Sequence, residues 1–297
     1  MSNAALPSSV ERHALADTSY SRCPVCGQDG HPTRFRVVTT KPFGLDRCTR
    51  CGLVYAVPRP SPEELDAFYT GDYFSGGRGD LGYYAYDWAD ANAERMWGLV
   101  QQWDPRLGVV PHTLLDVGCA HGSFALTAQR DGWATAGVEL AAEARERAAK
   151  RGLRMFSSLE DAHGSYGLIT MMHVLEHLID PMAGLTAARQ LIDPNGLLLI
   201  ELPHWGSLGR RVRGCRWSQL KPPAHINFFE RRSLDIALQS AGWLTMRSAT
   251  VHEHFIDVAS AELRQRHLGR GFAYAAAASA LEHMGVAGNL RVVASPR

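Results

Sequence analysis

The sequence predicts an α/β fold in which parallel strands alternate with helices, with a small metal-bound lobe at the N-terminal end. Three observations predict it. Thr113–Gly122, T-L-L-D-V-G-C-A-H-G, passes from an apolar run through a small-residue turn into a helix-forming stretch, Ser123 to Arg130. Glu139 ends a second strand-like run, W-A-T-A-G-V-E-L. The pair Cys23-x2-Cys26 is repeated as Cys48-x2-Cys51.

The turn is the organising element. Leu114 and Leu115 suit a buried parallel strand, and Asp116 closes it. Gly118-Cys119-Ala120-His121-Gly122 then leads into a helix N-terminus, whose backbone N–H groups receive a polar or anionic ligand end. A nicotinamide or flavin fingerprint needs G-x-G-x-x-G, whereas this chain has Gly118-x-Ala120-x-Gly122. A P-loop needs Gly-Lys-Ser/Thr, and there is no lysine here. Glu139, at the tip of the next strand, is placed to accept the two hydroxyls of a ribose.

D-V-G-C-A-H-G, then G-V-E, then H-V-L-E-H-L-I-D-P and P-N-G-L-L-L-I-E-L-P follow in order across residues 111–297. Together they resemble the class I S-adenosylmethionine (SAM)-dependent methyltransferases. The resemblance implies a Rossmann-like core with a seven-stranded, mostly parallel sheet. It implies cofactor contacts at Asp116, Gly118, Cys119, Ala120, Gly122, Glu139, Ser158, Leu159, Met172 and His173. The family's first motif usually reads D-x-G-C-G-x-G, so Ala120 replaces a glycine. Many relatives place an Asp against adenine, where this chain offers Ser158, Glu160 or Asp161. Tyr166-Gly167 stands where relatives commonly show Phe-Asp.

Net charge is +1 over 297 residues, 45% of them hydrophobic. That gives no global pull towards nucleic acid or anionic membrane. No apolar run reaches the ~20 residues of a membrane helix, and Met1–Tyr20, which lacks a basic start followed by an apolar stretch, is not expected to be a signal peptide. A cytoplasmic chain is expected, with no membrane or nucleic-acid partner and an open oligomeric state.

In chain order, residues 1–20 read as a loose tail and 21–58 as a zinc ribbon. Each C-x2-C turns two thiolates towards one ion, and Gly27 and Gly52 permit the turns. R-F-R-V-V and L-V-Y-A-V have strand character. Four thiolates close the coordination shell, so Cys23, Cys26, Cys48 and Cys51 are assigned to structural Zn2+. Residues 59–110 read as a helical lid or linker. Ser61-Pro62-Glu63-Glu64 starts a helix, the aromatics near Tyr69, Tyr73 and Phe74 are candidates for a substrate cleft or lid packing, and a further helix spans Tyr86–Trp103. Residues 111–297 form the methyltransferase domain, with 203–228 as a cap insertion. Helices are expected after Glu139 and from Asp180-Pro181 to about Ile192, with a turn at Asp193–Gly196. Strands follow at 153–156, G-L-I-T-M-M and L-L-L-I-E-L. W-L-T-M-R-S-A-T-V and N-L-R-V-V-A-S match the family's two antiparallel strands, and an Ala-rich helix is expected near 258–285.

His173 follows the fourth strand, on the side where open α/β sheets bind ligands. If H-V-L-E-H is helical, His173, Glu176 and His177 share a face. His173 is one candidate general base; it can also simply pack against SAM. Glu176 and His177 are alternative donors to a divalent ion, though one Glu-His pair is a thin donor set. His225, in P-P-A-H-I-N-F-F, is the second candidate base. Residues 206–232 hold seven Lys/Arg against one acid; their arginines can hold a phosphate or form a solvated loop. Sugar C-methyltransferases with a four-cysteine lobe carry a Glu just before the matching His. Ala224 stands there in this chain, which favours O- or N-methylation of a small molecule such as a sugar or natural-product intermediate. An RNA methyltransferase that uses the ribbon to bind RNA, and a non-catalytic SAM-binding or scaffold protein, are the alternatives.

Overall fold

The computed structural model describes residues 21–38, 42–68, 86–251 and 279–297. The aromatics at Tyr69, Tyr73 and Phe74, the 1–20 tail and most of the Ala-rich stretch lie outside the described residues.

Two sheets organise the chain. The large one is built from β4 (Thr113–Val117), β5 (Ala134–Val138), β6 (Arg154–Phe156), β7 (Tyr166–Met172), β8 (Ile192–Pro203), β10 (Trp243–Val251) and β11 (Asn289–Pro296). Its order is β10-β11-β8-β7-β4-β5-β6. The β4–β5, β5–β6, β4–β7 and β7–β8 pairs are parallel, and β11 joins β8 and β10 antiparallel. The Rossmann-like expectation is met, including the two antiparallel strands. The strand order reverses between β4 and β7, and such a reversal opens a crevice at the strands' C-terminal ends.

The strands read as continuous apolar runs because both faces are covered. Leu114, Leu168, Leu197 and Leu199 face one core, with Trp97, Phe124 and Trp133. Leu115, Ile169, Leu198 and Ile200 face the other. On the first face, α2 (Tyr86–Trp103; α1 is Pro62–Phe68) lies against α3 (Ser123–Arg130). Trp97 meets Phe124 and Trp133 edge-on, with centroids 5.6 and 5.2 Å apart. The α1 start is capped reciprocally by Ser61 and Glu64, as its sequence predicts. α4 (Ala142–Lys150) follows Glu139, and α5 (Pro181–Leu191) is capped by Asp180. Asp193–Gly196, expected as a free turn, lies inside β8 at an irregular register; the Asn195 N–H still bonds the Asp193 carboxylate at 2.8 Å.

The small sheet has the order β1-β2-β3-β9: Gly30–Val38, Pro42–Cys48, Val54–Val57 and Asn227–Phe228. Its last strand comes from the segment after β8. Val54 pairs with Phe228 and Tyr55 with Asn227. Around this join, Phe43, Leu45, Val54 and Ala56 pack with Trp205, Trp217, Leu220, Ile226 and Phe228. The 203–228 segment includes α6 (Leu208–Arg213), and α7 (Arg231–Ser240) follows it. The segment packs its tryptophans on the cysteine lobe and then returns His225 to the crevice side.

Candidate functional site

Three residues of the turn after β4 have left-handed backbone: Gly118 (φ 70°), Ala120 (φ 50°) and Gly122 (φ 83°). A Cβ at Gly118 would stand 2.8 Å from Val174, and one at Gly122 2.7 Å from Leu153. Both glycines are therefore required by backbone conformation and by space. Ala120 holds the same kind of conformation at a cost of about 1 kcal/mol.

The carboxylate of Glu139 lies over this turn. Its two oxygens accept the N–H groups of Ala120 and Ala141, each at 2.9 Å. A carboxylate offers about four lone-pair sites, so acceptor capacity remains for a ribose. Burial raises its pKa. Asp116 accepts the Thr170 hydroxyl at 2.7 Å, and burial, with the nearby Glu139 charge, lifts its pKa to about 7. The Cys119 thiol is buried and pushed well above its ordinary value by burial, then by Asp116 and Glu139. A second brace was not visible in sequence. Asp90 of α2 accepts from Ser123 Oγ and, at 2.7 Å, from Arg151, which also bonds the His121 carbonyl at 3.0 Å. Beyond β6, the Asp161 N–H bonds Ser158 Oγ at 3.2 Å, so Ser158 and Leu159 sit in a short turn at the crevice edge.

Met172 ends β7, and His173 takes a left-handed conformation (φ 56°). That backbone stops any helix at once: Val174–Ile179 is a turn, not the helix that would give the three residues one face. The turn nevertheless gathers them. His173 Nδ1 lies 3.0 Å from Glu176, and its Nε2 lies 3.8 Å from Glu201 of β8. Burial opposes charge on His173, yet the two carboxylates outweigh it and lift its pKa to about 9. Glu201 is fully buried and accepts from Asn289 at 3.0 Å and Arg291 at 2.7 Å. Burial pushes its pKa up, but the Arg291 and His173 charges dominate and bring it to about 2. Glu201 was legible as one charge inside an apolar strand, L-L-L-I-E-L; Asn289 and Arg291 carried no such signal.

The strap at 224–228 closes on this turn. Ile226 and Asn227 donate their N–H groups to the Glu176 carbonyl at 2.8 and 3.1 Å. His177 Nδ1 donates to the Ala224 carbonyl at 2.8 Å, and His225 Nδ1 to the Gln219 carbonyl at 2.9 Å. The two imidazoles meet edge-on with centroids 4.7 Å apart. Burial lowers the pKa of both, His225 well below the ordinary value, so both rings stay neutral. Arg59 fixes the arrangement from the lobe side, bonding Asn227 Oδ1 at 2.7 Å and the Leu178 carbonyl at 3.1 Å.

The four cysteines converge as their spacing predicts. Cys23 Sγ lies 3.5 Å from Cys51 Sγ and Cys26 Sγ 3.4 Å from Cys48 Sγ, and all four lie within 4.8 Å of one another. Thiolates bound at about 2.3 Å to one tetrahedral ion stand roughly 3.8 Å apart, so the set fits a zinc ion. Gly27 and Gly52 close the two knuckles at φ 68° and 83°. Among the described residues, no helix is long and apolar enough to cross a membrane.

Residues 88–246 match the profile of a methyltransferase-domain family. The ubiquinone biosynthesis O-methyltransferases of Pectobacterium atrosepticum and Sodalis glossinidius are similar at 32% and 31% identity over 133 residues. The match covers 36% of this chain and 55% and 53% of theirs. The chain thus spans about half the length of the curated relatives it matches. Among solved structures, the magnesium protoporphyrin IX methyltransferase of Synechocystis, with bound S-adenosylhomocysteine, has a similar fold. The TM-score is 0.52 at 14% identity, covering 78% of this chain and 100% of that one.

Proposed function

The chain belongs to the methyltransferase-domain family, and from that premise we propose that it moves a methyl group from SAM to a hydroxyl of a small molecule. The observation that carries this reading is a convergence at the strand-order reversal. Glu139 and the left-handed turn after β4 face the same crevice end as the His173–His177 turn after β7. The curated relatives named as O-methyltransferases support an oxygen acceptor.

SAM supplies an electrophilic methyl carbon on sulfur: the carbon–sulfur bond breaks, its electron pair staying on sulfur, as the carbon–oxygen bond forms. The chain's own residues orient the partners and handle the proton. Glu139 would hold the ribose, while the Gly118–Gly122 turn admits the methionine end. Among the candidate bases, the geometry favours His225. His173 is held as a cation between Glu176 and Glu201, and a cation has no lone pair for a proton. It is better suited to fixing the Glu176 and Glu201 carboxylates. The neutral rings of His177 and His225 are the groups able to promote loss of the acceptor's proton. On the four cysteines we place a structural zinc ion.

Calorimetry of S-adenosylhomocysteine binding, wild type against Glu139→Ala, tests the reading. Losing charge-assisted bonds of about 1.5–3 kcal/mol each should weaken binding at least about tenfold. A folded wild type that binds no S-adenosylhomocysteine overturns it. Methyl transfer from labelled SAM to hydroxylated acceptors is the second step.

A further inference from the structure

The segment between β8 and β9 carries positive charge that the proton-handling residues do not use. Residues 202–229 contain five Lys/Arg, at 210, 211, 213, 216 and 221, and no Asp or Glu. The carboxylates on either side are engaged elsewhere, Glu201 with Arg291 at 2.7 Å and Glu230 with Arg47 at 3.4 Å. Arg210 has a structural task. Its Nε donates to the Trp205 carbonyl at 2.7 Å, and its guanidinium lies 4.2 Å from the centre of the Trp205 ring. Arg213 and Arg216 differ from it: both are exposed, and neither pairs with a carboxylate among the described residues. With Val212 and Cys215 they line a groove of about 550 Å3, within the range of small-molecule sites. Gly214 (φ 56°) ends α6 and turns the chain between them. Like charges gathered without a counter-charge repel each other, and an anion in the groove relieves that repulsion.

We infer that Arg213 and Arg216 form an anion subsite that holds a phosphate group of the methyl acceptor. Guanidinium forks present paired N–H groups that match phosphate oxygens bidentately. Val212, 77% exposed, gives the organic part of a phosphate ester an apolar wall. The strap links the groove to the crevice. Arg216 precedes Gln219 by three residues, and the Gln219 carbonyl accepts the His225 Nδ1 hydrogen at 2.9 Å. Three residues span at most about 11 Å, so the Arg216 backbone lies within roughly 16 Å of the His225 ring. An extended phosphate ester bridges that distance, its hydroxyl beside His225 and its phosphate in the groove. Binding energy at the phosphate then serves to position the hydroxyl. As an anion site the inference stands by itself; as an acceptor anchor it rests on the methyl-transfer reading. The acceptor class it favours is a hydroxylated phosphate ester.

The test is calorimetry of inorganic pyrophosphate with the full chain in excess S-adenosylhomocysteine, at physiological ionic strength so that diffuse attraction is screened. Wild type should bind one pyrophosphate per chain. Arg213→Ala and Arg216→Ala should each weaken that binding at least about tenfold. Arg211→Ala removes the same charge outside the groove and should change it less than about twofold. All three side chains are exposed, so the variants keep the fold. No pyrophosphate binding by wild type, or an equal loss in all three variants, overturns the inference. In methyl transfer from labelled SAM, pyrophosphate should raise the KM of the acceptor and leave that of SAM unchanged. Pyrophosphate that binds without raising the acceptor's KM marks a site for free anions and overturns the acceptor role. S-adenosylhomocysteine calorimetry on the same samples separates the two readings. Its binding without pyrophosphate binding sinks the anion subsite alone, and pyrophosphate binding without it sinks the methyl-transfer reading alone.

Discussion

His177 gives its Nδ1 hydrogen to the carbonyl of Ala224, 2.8 Å away and 47 residues along the chain. The imidazole beside the crevice is thus aimed by a segment that belongs to the cysteine lobe's sheet. Asn227 secures the same contact: its amide donates to the Leu175 and Leu178 carbonyls at 2.9 and 2.7 Å. Asn227→Ala takes the amide donor from the Leu175 carbonyl and the Oδ1 acceptor from Arg59, while Arg59 still bonds the Leu178 carbonyl, a loss of about 1–3 kcal/mol. Methyl transfer should fall at least about tenfold, with S-adenosylhomocysteine affinity unchanged, in paired kinetic and calorimetric measurements.

Cys48→Ser should reach the crevice as well as the lobe. On the proposed zinc reading, removing one thiolate of the closed four-thiolate site takes away most of the ion's contribution to folding. The melting temperature is expected to drop on the order of 10 °C. Methyl transfer falls with it because Val54 then no longer anchors Phe228. Differential scanning calorimetry with and without chelator reads the first effect.

Glu201→Gln should destabilise by about 3–5 kcal/mol, because it strands Arg291 without its counter-charge. Arg291 is 5% exposed and 2.7 Å from the Glu201 carboxylate. Replacing both partners, Glu201→Leu with Arg291→Met, should recover most of that loss in urea denaturation. A single substitution costing under about 1 kcal/mol contradicts this account of the pair.

Asp116 sets a pH dependence. Folded, it holds its proton to about pH 7, whereas in the unfolded chain it releases it near pH 4. Between these values the native state binds more protons, so stability falls as pH rises, by on the order of 4 kcal/mol from this group. Asp116→Asn should flatten that decline in denaturation curves recorded from pH 4 to 8.

Ala120→Gly should stabilise the chain by about 0.5–1 kcal/mol. The left-handed conformation at φ 50° strains alanine and not glycine, and the greater unfolded-state entropy of glycine offsets part of the gain. Chemical denaturation resolves the change.

Much of the large sheet was legible because its strands are buried on both faces and the helices between them carry clear start signals, as where Asp180 caps the helix that begins at Pro181. The cysteine spacing was equally plain. What could not be read were arrangements fixed by distant backbone. β9 is two residues long, and nothing in I-N-F-F names Val54 as its partner. The turn after β7 carried a helical-looking H-V-L-E-H, but the left-handed His173 prevents the helix. Tyr166-Gly167, which departs from the family pattern, has a local cause. A Cβ at Gly167 would stand 1.9 Å from the Pro111 carbonyl oxygen, so an aspartate does not fit that strand start. Nor could the packing of Trp205 and Trp217, in the segment read as a cap, against Phe43, Leu45, Val54 and Ala56 of the cysteine lobe be read from the sequence.

The pairing of Val54 with Phe228 also sets a timetable for synthesis. The cysteine lobe emerges from the ribosome first, but its fourth strand lies 174 residues downstream. At about 5–20 residues per second, the open edge of β3 waits roughly 9–35 s for its partner. During that interval the four thiols are at their most accessible, so the zinc ion proposed for them would matter most before the crevice exists.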